Sequence, residues 1–241
     1  MNMTEREKIF YQNLIVCDED KIRIANYLKT KGIEKHILIK EKLLSWSESG
    51  NIEYTKVAST YRYDKRIRLV LFKYLSYLEE FYRAIILDHY ITKTQQSFWI
   101  KDLKEKLQEH EKNLNDALEH IDFSTLLIQS QKLPPKIRAL CHFPSGKHLK
   151  DNSIALKELR NAVMHNKFLL LYRGFNECYV QGVDDGKSAN LKANILNLIQ
   201  FLPQEVGNQC KKDINYCKAD RNKPNDTTWD LPSQIVITLE N

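Results

Sequence analysis

The run KRIRLVLFKYLSYLEEFYRAIILDHY, Lys65–Tyr90, decides the fold class. It holds no glycine or proline, and its apolar residues recur at helical rather than alternating spacing. At 100° per residue, Leu71, Phe72, Leu75, Leu78, Tyr82 and Ile86 fall on one stripe, which predicts a long helix with one buried face. Glu79 lies in the middle of that stripe and Arg83 at its edge. A carboxylate among apolar side chains has to be paired, because leaving it bare costs several kcal/mol. Arg83 at i+4 is the nearest partner. Two readings stand: an ion pair internal to a bundle, or an acid that orients Arg160 or His165 of a later helix.

Further helices are expected on both sides of this run. Glu5–Val16, Glu19–Thr30 and Lys35–Trp46 carry helical spacing, Ser47–Asn51 is a loop, and Asn51–Tyr63 is ambiguous, readable as a short helix preceded by a turn. Beyond the polar break Thr92–Ser97, Phe98–Ile121 predicts one amphipathic helix, extended by Phe123–Ser130 and stopped by Pro134-Pro135. Asp151-Asn152-Ser153 offers N-cap chemistry to a buried helix over Leu156–Tyr172, with Gly174 placed to follow its last turn. Tyr179–Val183 reads as a short strand before the turn Asp184-Asp185-Gly186, and Leu191–Leu202 and Glu205–Lys218 as helices. The chain turns polar from Asp220, with one candidate strand at Ile235–Leu239. The expectation is an all-α protein: an N-terminal helical extension over 1–64, a helical bundle over 65–219, and an irregular polar tail over 220–241.

Composition agrees with that class and narrows the chemistry. With 241 residues the chain can bury a substantial core, and only 7 glycines and 6 prolines favour long helices. A net charge of +6 suits a polyanion without requiring one. No apolar run approaches a membrane span and the N-terminus MNMTEREKIFYQ has no apolar signal core, so a cytoplasmic protein without a membrane partner is expected. Cys17, Cys141, Cys178, Cys210 and Cys217 form no CxxC pair, and the seven histidines form no HxxxH or HExxH. Free thiols, no metal site and no cofactor follow.

Function is carried by Arg160-Asn161-Ala162-Val163-Met164-His165. A permanent cation and the side chain that titrates near neutrality are the two groups that RNA cleavage without a metal needs. One moves a proton and the other holds a phosphorane's charge. Chance alone would give Arg-x4-His about 0.3 times in this composition, and the added asparagine lowers that to about 0.02, so the longer string is the informative one. On the wheel Ala155, Leu156, Leu159, Ala162, Val163, Leu169 and Leu170 make an apolar stripe that Arg160 and His165 flank. The far face carries Asn161, Met164, Phe168, Leu171 and Tyr172, which predicts a helix covered on both sides, by its own bundle and by a second layer or subunit. The bland alternative is an ion-paired Arg160 and a satisfied core His165.

Arg-Asn-x3-His on a late helix of an all-α chain resembles the HEPN superfamily, whose nucleolytic members carry Arg-x4–6-His. The segment FKYLSYLEEFYRAII within Leu71–Ile86 is similar to the Abi-like (abortive infection) branch, in which a Glu-x3-Arg pair sits where Glu79 and Arg83 stand. The resemblance runs over Arg66 to Arg173. It implies a HEPN-type helical bundle, a metal-independent endoribonuclease with Arg160 and His165 catalytic, and a site at a two-fold homodimer interface. Asn161, Glu79 and Arg83 would support that site. It further implies a toxin or anti-phage effector, RNA as partner, attack by the 2′-hydroxyl, and an antitoxin or regulatory RNA as possible controllers. Arg62, Lys65, Arg66 and Arg68, interleaved with Tyr61 and Tyr63, are candidates for RNA contact by stacking and phosphate pairing, against the plainer reading of a solvated charged face. The rival class is a non-catalytic HEPN-like module that binds RNA or docks a partner.

Overall fold

A computed structural model describes residues 3–18, 20–89, 99, 101–110, 114–144, 146–180, 187–219 and 230–240. The expected break Thr92–Ser97, the turn Asp184-Asp185-Gly186 and 220–229 of the expected tail lie outside the described residues. The protein is all-α: the described residues form eleven α-helices and four strands of two residues each. No described helix is long and apolar enough to cross a membrane. The chain forms two compact units, residues 1–68 with 214–238, and residues 69–213 with 239–241.

The N-terminal unit starts with α1 (Glu5–Tyr11). Its first turn is closed by a reciprocal cap, in which Thr4 Oγ1 accepts from the Glu7 amide at 3.2 Å and the Thr4 amide donates to Glu7 at 2.7 Å. The chain then leaves the helix into β1 (Leu14–Ile15), which pairs in parallel with β2 (Ile52–Glu53). Between them run α2 (Asp20–Lys31) and α3 (Ile33–Leu44), which pack on each other, while α1 packs on α3. Fully buried Phe10, Ile24 and Tyr63 anchor the core. Buried Lys40 is satisfied by the backbone, its ammonium donating to the carbonyls of Ile9 and Gln12. Ile235 and Ile237 are buried, and the Ile237 amide donates to the Tyr63 hydroxyl at 2.9 Å. The expected strand there is instead a 3-10 turn, Ser233–Ile235, followed by extended chain.

The long helix α4 (Tyr54–His89) begins eleven residues earlier than Lys65, so the ambiguous stretch before it is helix. At 36 residues it is about 54 Å long. Its buried stripe is Ile67, Leu71, Tyr74, Leu75, Leu78, Tyr82 and Ile86, whereas Phe72 is half exposed. In the second unit, α5 (Lys101–His110) and α6 (Leu114–Glu119) pack against one another, so the single helix expected over Phe98–Ile121 is corrected to two. A new cap starts α7 (Phe123–Gln131), Asp122 accepting from the Thr125 amide at 2.7 Å. Pro135 opens the single turn α8 (Pro135–Arg138) at a position where its missing N–H costs nothing.

The helix bearing Arg160 is α9 (Leu149–Met164). It packs on α7, on α10 (Leu191–Phe201) and on β3 (Cys178–Tyr179), which pairs antiparallel with β4 (Lys187–Ser188). The expected cap at 151–153 is corrected, because these residues lie inside α9. Asn152 is buried and turned to β3, its amide donating to the Tyr179 carbonyl at 3.0 Å and accepting from the Tyr179 amide at 2.8 Å. Asn197 of α10 donates in turn to the Asn152 carbonyl at 2.8 Å, and Gln200 of α10 to the Tyr179 carbonyl at 3.1 Å. The last long helix is α11 (Gln204–Tyr216).

Candidate functional site

Where α9 ends determines where His165 points. The helix stops at Met164, not Tyr172, and His165 is its C-cap residue. Asn166 takes the left-handed conformation at φ 53°, the Asn166 amide donates to Val163 O at 3.1 Å, and the Lys167 amide to Ala162 O at 2.9 Å. That pair of bonds is the Schellman ending, with asparagine filling the place that glycine more often takes. Gly174 is therefore not the terminator; it lies against the Tyr172 ring, which would have to shift to admit a side chain there. Phe168 and Leu169, read as helix, form the start of a 3-10 turn and are buried. The apolar far face predicted for the helix is thereby corrected, since Phe168, Leu171 and Tyr172 lie beyond its end. The face that remains is mixed and open, with Ile154, Lys157 and His165 exposed and Asn161 and Met164 half-buried.

Arg160, Glu79 and Arg83 come together. Arg160 Nε donates to Glu79 Oε1 at 3.0 Å, and Arg83 Nη1 lies 3.5 Å from Glu79 Oε2. Arg83 Nε donates to the Leu118 carbonyl at 3.3 Å, tying the pair to α6. The Glu79 side chain is 13% exposed, Arg83 25% and Arg160 30%. One carboxylate thus lies between two guanidinium groups, leaving a net local charge of +1. Glu79 engages Arg160 through Nε alone, so the two terminal nitrogens keep the fork that matches a phosphate. His165 is exposed, its ring forms no hydrogen bond with a described residue, and its amide donates to Asn161 O at 2.9 Å.

The basic cluster on α4 belongs to the other compact unit, and two of its four cations are committed to structure. Arg68 is buried and pairs with Asp64 at 2.8 Å. Arg66 donates to the carbonyls of Cys217 and Ala219. Tyr63 is fully buried, and Tyr61 is buried with its ring stacked 5.0 Å from that of His36. The expectation that these tyrosines interleave with cations on an RNA surface is corrected: both rings turn inward. Lys65 stays exposed and Arg62 half-exposed.

Among the described residues no three His, Cys, Asp or Glu side chains converge as a metal's ligands would. Burial pushes the Cys141 and Cys178 thiols up to about 12, far from thiolate reactivity. Two hollows of the N-terminal unit, about 280 Å³ beside Trp46 and about 630 Å³ beside Tyr11, contain none of the residues singled out by sequence. No family model, curated protein or solved structure matches the chain.

Proposed function

We propose that the chain is a metal-independent endoribonuclease of HEPN type, acting as a toxin or anti-phage effector on RNA. The observation that carries this reading is an arginine held by its Nε, with its fork free and partly exposed, on the helix that an exposed histidine caps. In the proposed reaction the 2′-oxygen attacks phosphorus, the bond to the 5′-oxygen breaks, and one proton is removed and one delivered. His165 performs one of these two transfers. Arg160, aligned by Glu79 and Arg83, stabilises the added charge on the pentacoordinate phosphorus. The products are a 2′,3′-cyclic phosphate and a 5′-hydroxyl. Arg160 and His165 stand about 140° apart round α9. Two chains paired through this helix would bring complementary Arg and His groups to one cleft, which favours a homodimer.

A non-catalytic RNA-binding or partner-docking module is the second reading. What favours it is that no described residue orients the His165 ring, whereas a general base ordinarily has such a partner. One experiment separates the two. With purified protein and a labelled RNA in EDTA, the nuclease reading expects cleavage by the parent and a loss of about 10²–10⁴-fold for His165→Ala and for Arg160→Ala, with melting unchanged. RNA that stays intact with the parent while still being bound supports the module.

A further inference from the structure

Phe123–Lys150 contains five lysines and arginines and no aspartate or glutamate, where the chain's average would place about 3.6 acids. Lys132, Lys136 and Arg138 are exposed along it. The same stretch delivers His142 to α4, where three rings stand in a row. Tyr77 and Phe81 are nearly parallel, 11° apart with centroids 5.9 Å apart, and Phe81 and His142 follow at 26° and 6.2 Å. The row is fixed from below. Cys141 is fully buried, and its carbonyl accepts from the Tyr82 hydroxyl at 3.3 Å. His142 then turns outward through a left-handed conformation, φ 50°, which histidine adopts more readily than most residues. His142 is exposed, Tyr77 is 36% exposed and Leu140 44%. Of the two carboxylates between Tyr77 and Phe81, Glu79 is held by the arginines and Glu80 is exposed.

We propose that Tyr77, Phe81 and His142 form a stacking platform for single-stranded RNA, with Lys132, Lys136 and Arg138 on its phosphates. An acidic peptide would satisfy the cations and leave the flat faces idle, and duplex RNA hides its base faces. A single strand uses both, because every base has a π face and every linkage a charge. This inference rests on the reading that RNA is the substrate, and names how a strand is held outside the Arg160 site.

The test measures binding apart from cleavage. The His165→Ala chain is titrated against a fluorescent oligo(U) of about twelve nucleotides, within the site sizes single-strand binders use. Tyr77→Ala and His142→Asn, the latter keeping a residue that tolerates the left-handed backbone, are each expected to weaken binding about tenfold without lowering the melting temperature. Lys136→Ala should reduce the slope of log affinity against log salt by about 0.7, the single-strand value per phosphate contact. Oligo(dT) should bind within a few fold of oligo(U), since stacking ignores the ribose. The proposal is overturned if the parent fails to bind the strand at micromolar concentration, if both ring variants bind as the parent does, or if duplex RNA or poly-glutamate competes equally. RNA cut by the wild-type chain, with Tyr77→Ala binding normally, removes the platform and leaves the nuclease. RNA bound through the rings by a chain that cuts nothing removes the nuclease and leaves the platform.

Discussion

Helix α4 carries two acid–arginine pairs at the same i→i+4 spacing, and their surroundings differ. In Asp64–Arg68 the carboxylate is wholly buried and the guanidinium 10% exposed, with 2.8 Å between them. In Glu79–Arg83 the distance is 3.5 Å, the side chains are 13% and 25% exposed, and Arg160 arrives from α9 as a second cation at 3.0 Å. A sealed pair neutralises itself and holds its segment of the fold. A carboxylate shared by two arginines at the edge of the core leaves one positive charge over, with access to solvent. Spacing along a helix therefore does not distinguish a sealed ion pair from one that leaves a cation open to solvent. The distinction comes from burial and from how many partners converge.

Breaking the sealed pair should have the largest effect. Asp64→Ala takes a wholly buried carboxylate away from the buried Arg68 guanidinium and is expected to cost about 3–5 kcal/mol, read as a lower denaturant midpoint, with little change in any RNA cleavage per folded molecule. A cost below about 1 kcal/mol would mean that Asp64 and Arg68 are solvated like a surface pair, and the contrast would collapse. Next comes Glu79→Gln, which keeps the shape and removes the charge. It should lower stability by no more than about 1 kcal/mol, because the group is partly screened. RNA cleavage should fall by about a hundredfold as Arg160 loses its alignment. Equal stability with equal activity would return Glu79 to a purely packing role.

The smallest effect concerns pH and again separates the two units. His36 is fully buried, its Nδ1 bonded to the Gly32 carbonyl, and burial holds its pKa below the ordinary value. Above the unfolded pKa of about 6.5 both states are neutral and the group is silent. As pH falls through that value the unfolded chain takes up a proton that the folded chain resists, so stability declines by at most about 1.4 kcal/mol per pH unit until the folded pKa is reached. Urea midpoints at pH 7.5 and 5.5 should therefore diverge for the parent and converge for His36→Gln. Equal divergence in both would assign the acid sensitivity to other groups.

The helical class and the face of α4 were legible because a 3.6-residue period survives without tertiary information. The meeting of Glu79 with a cation was half legible: a carboxylate in an apolar stripe demands a partner, but that Arg160, 81 residues away, supplies one is a tertiary fact. The end of α9 was misread because Phe168–Leu171 continue the helical period after the chain has turned. The discriminating signal was the polar triplet His165-Asn166-Lys167, with an asparagine able to enter the left-handed region. The basic run at 62–68 was misread for a related reason. Net charge counts Arg66 and Arg68 as free, whereas Asp64 four residues before Arg68 already offered it a partner. The acid-free stretch 123–150 was readable from composition, but that it leads to a row of rings on α4 was not.

Asn152 has a consequence for what β3 can join. Its carboxamide meets the Tyr179 amide and carbonyl together, as a neighbouring strand would, and Gln200 reinforces the carbonyl. In hydrogen-bonding terms the hairpin has a third strand one side chain long. A two-stranded sheet ordinarily leaves an open edge that can recruit a strand from another chain. At Tyr179 that edge is closed from within the helices, so a strand of another chain finds no open backbone group to pair with there.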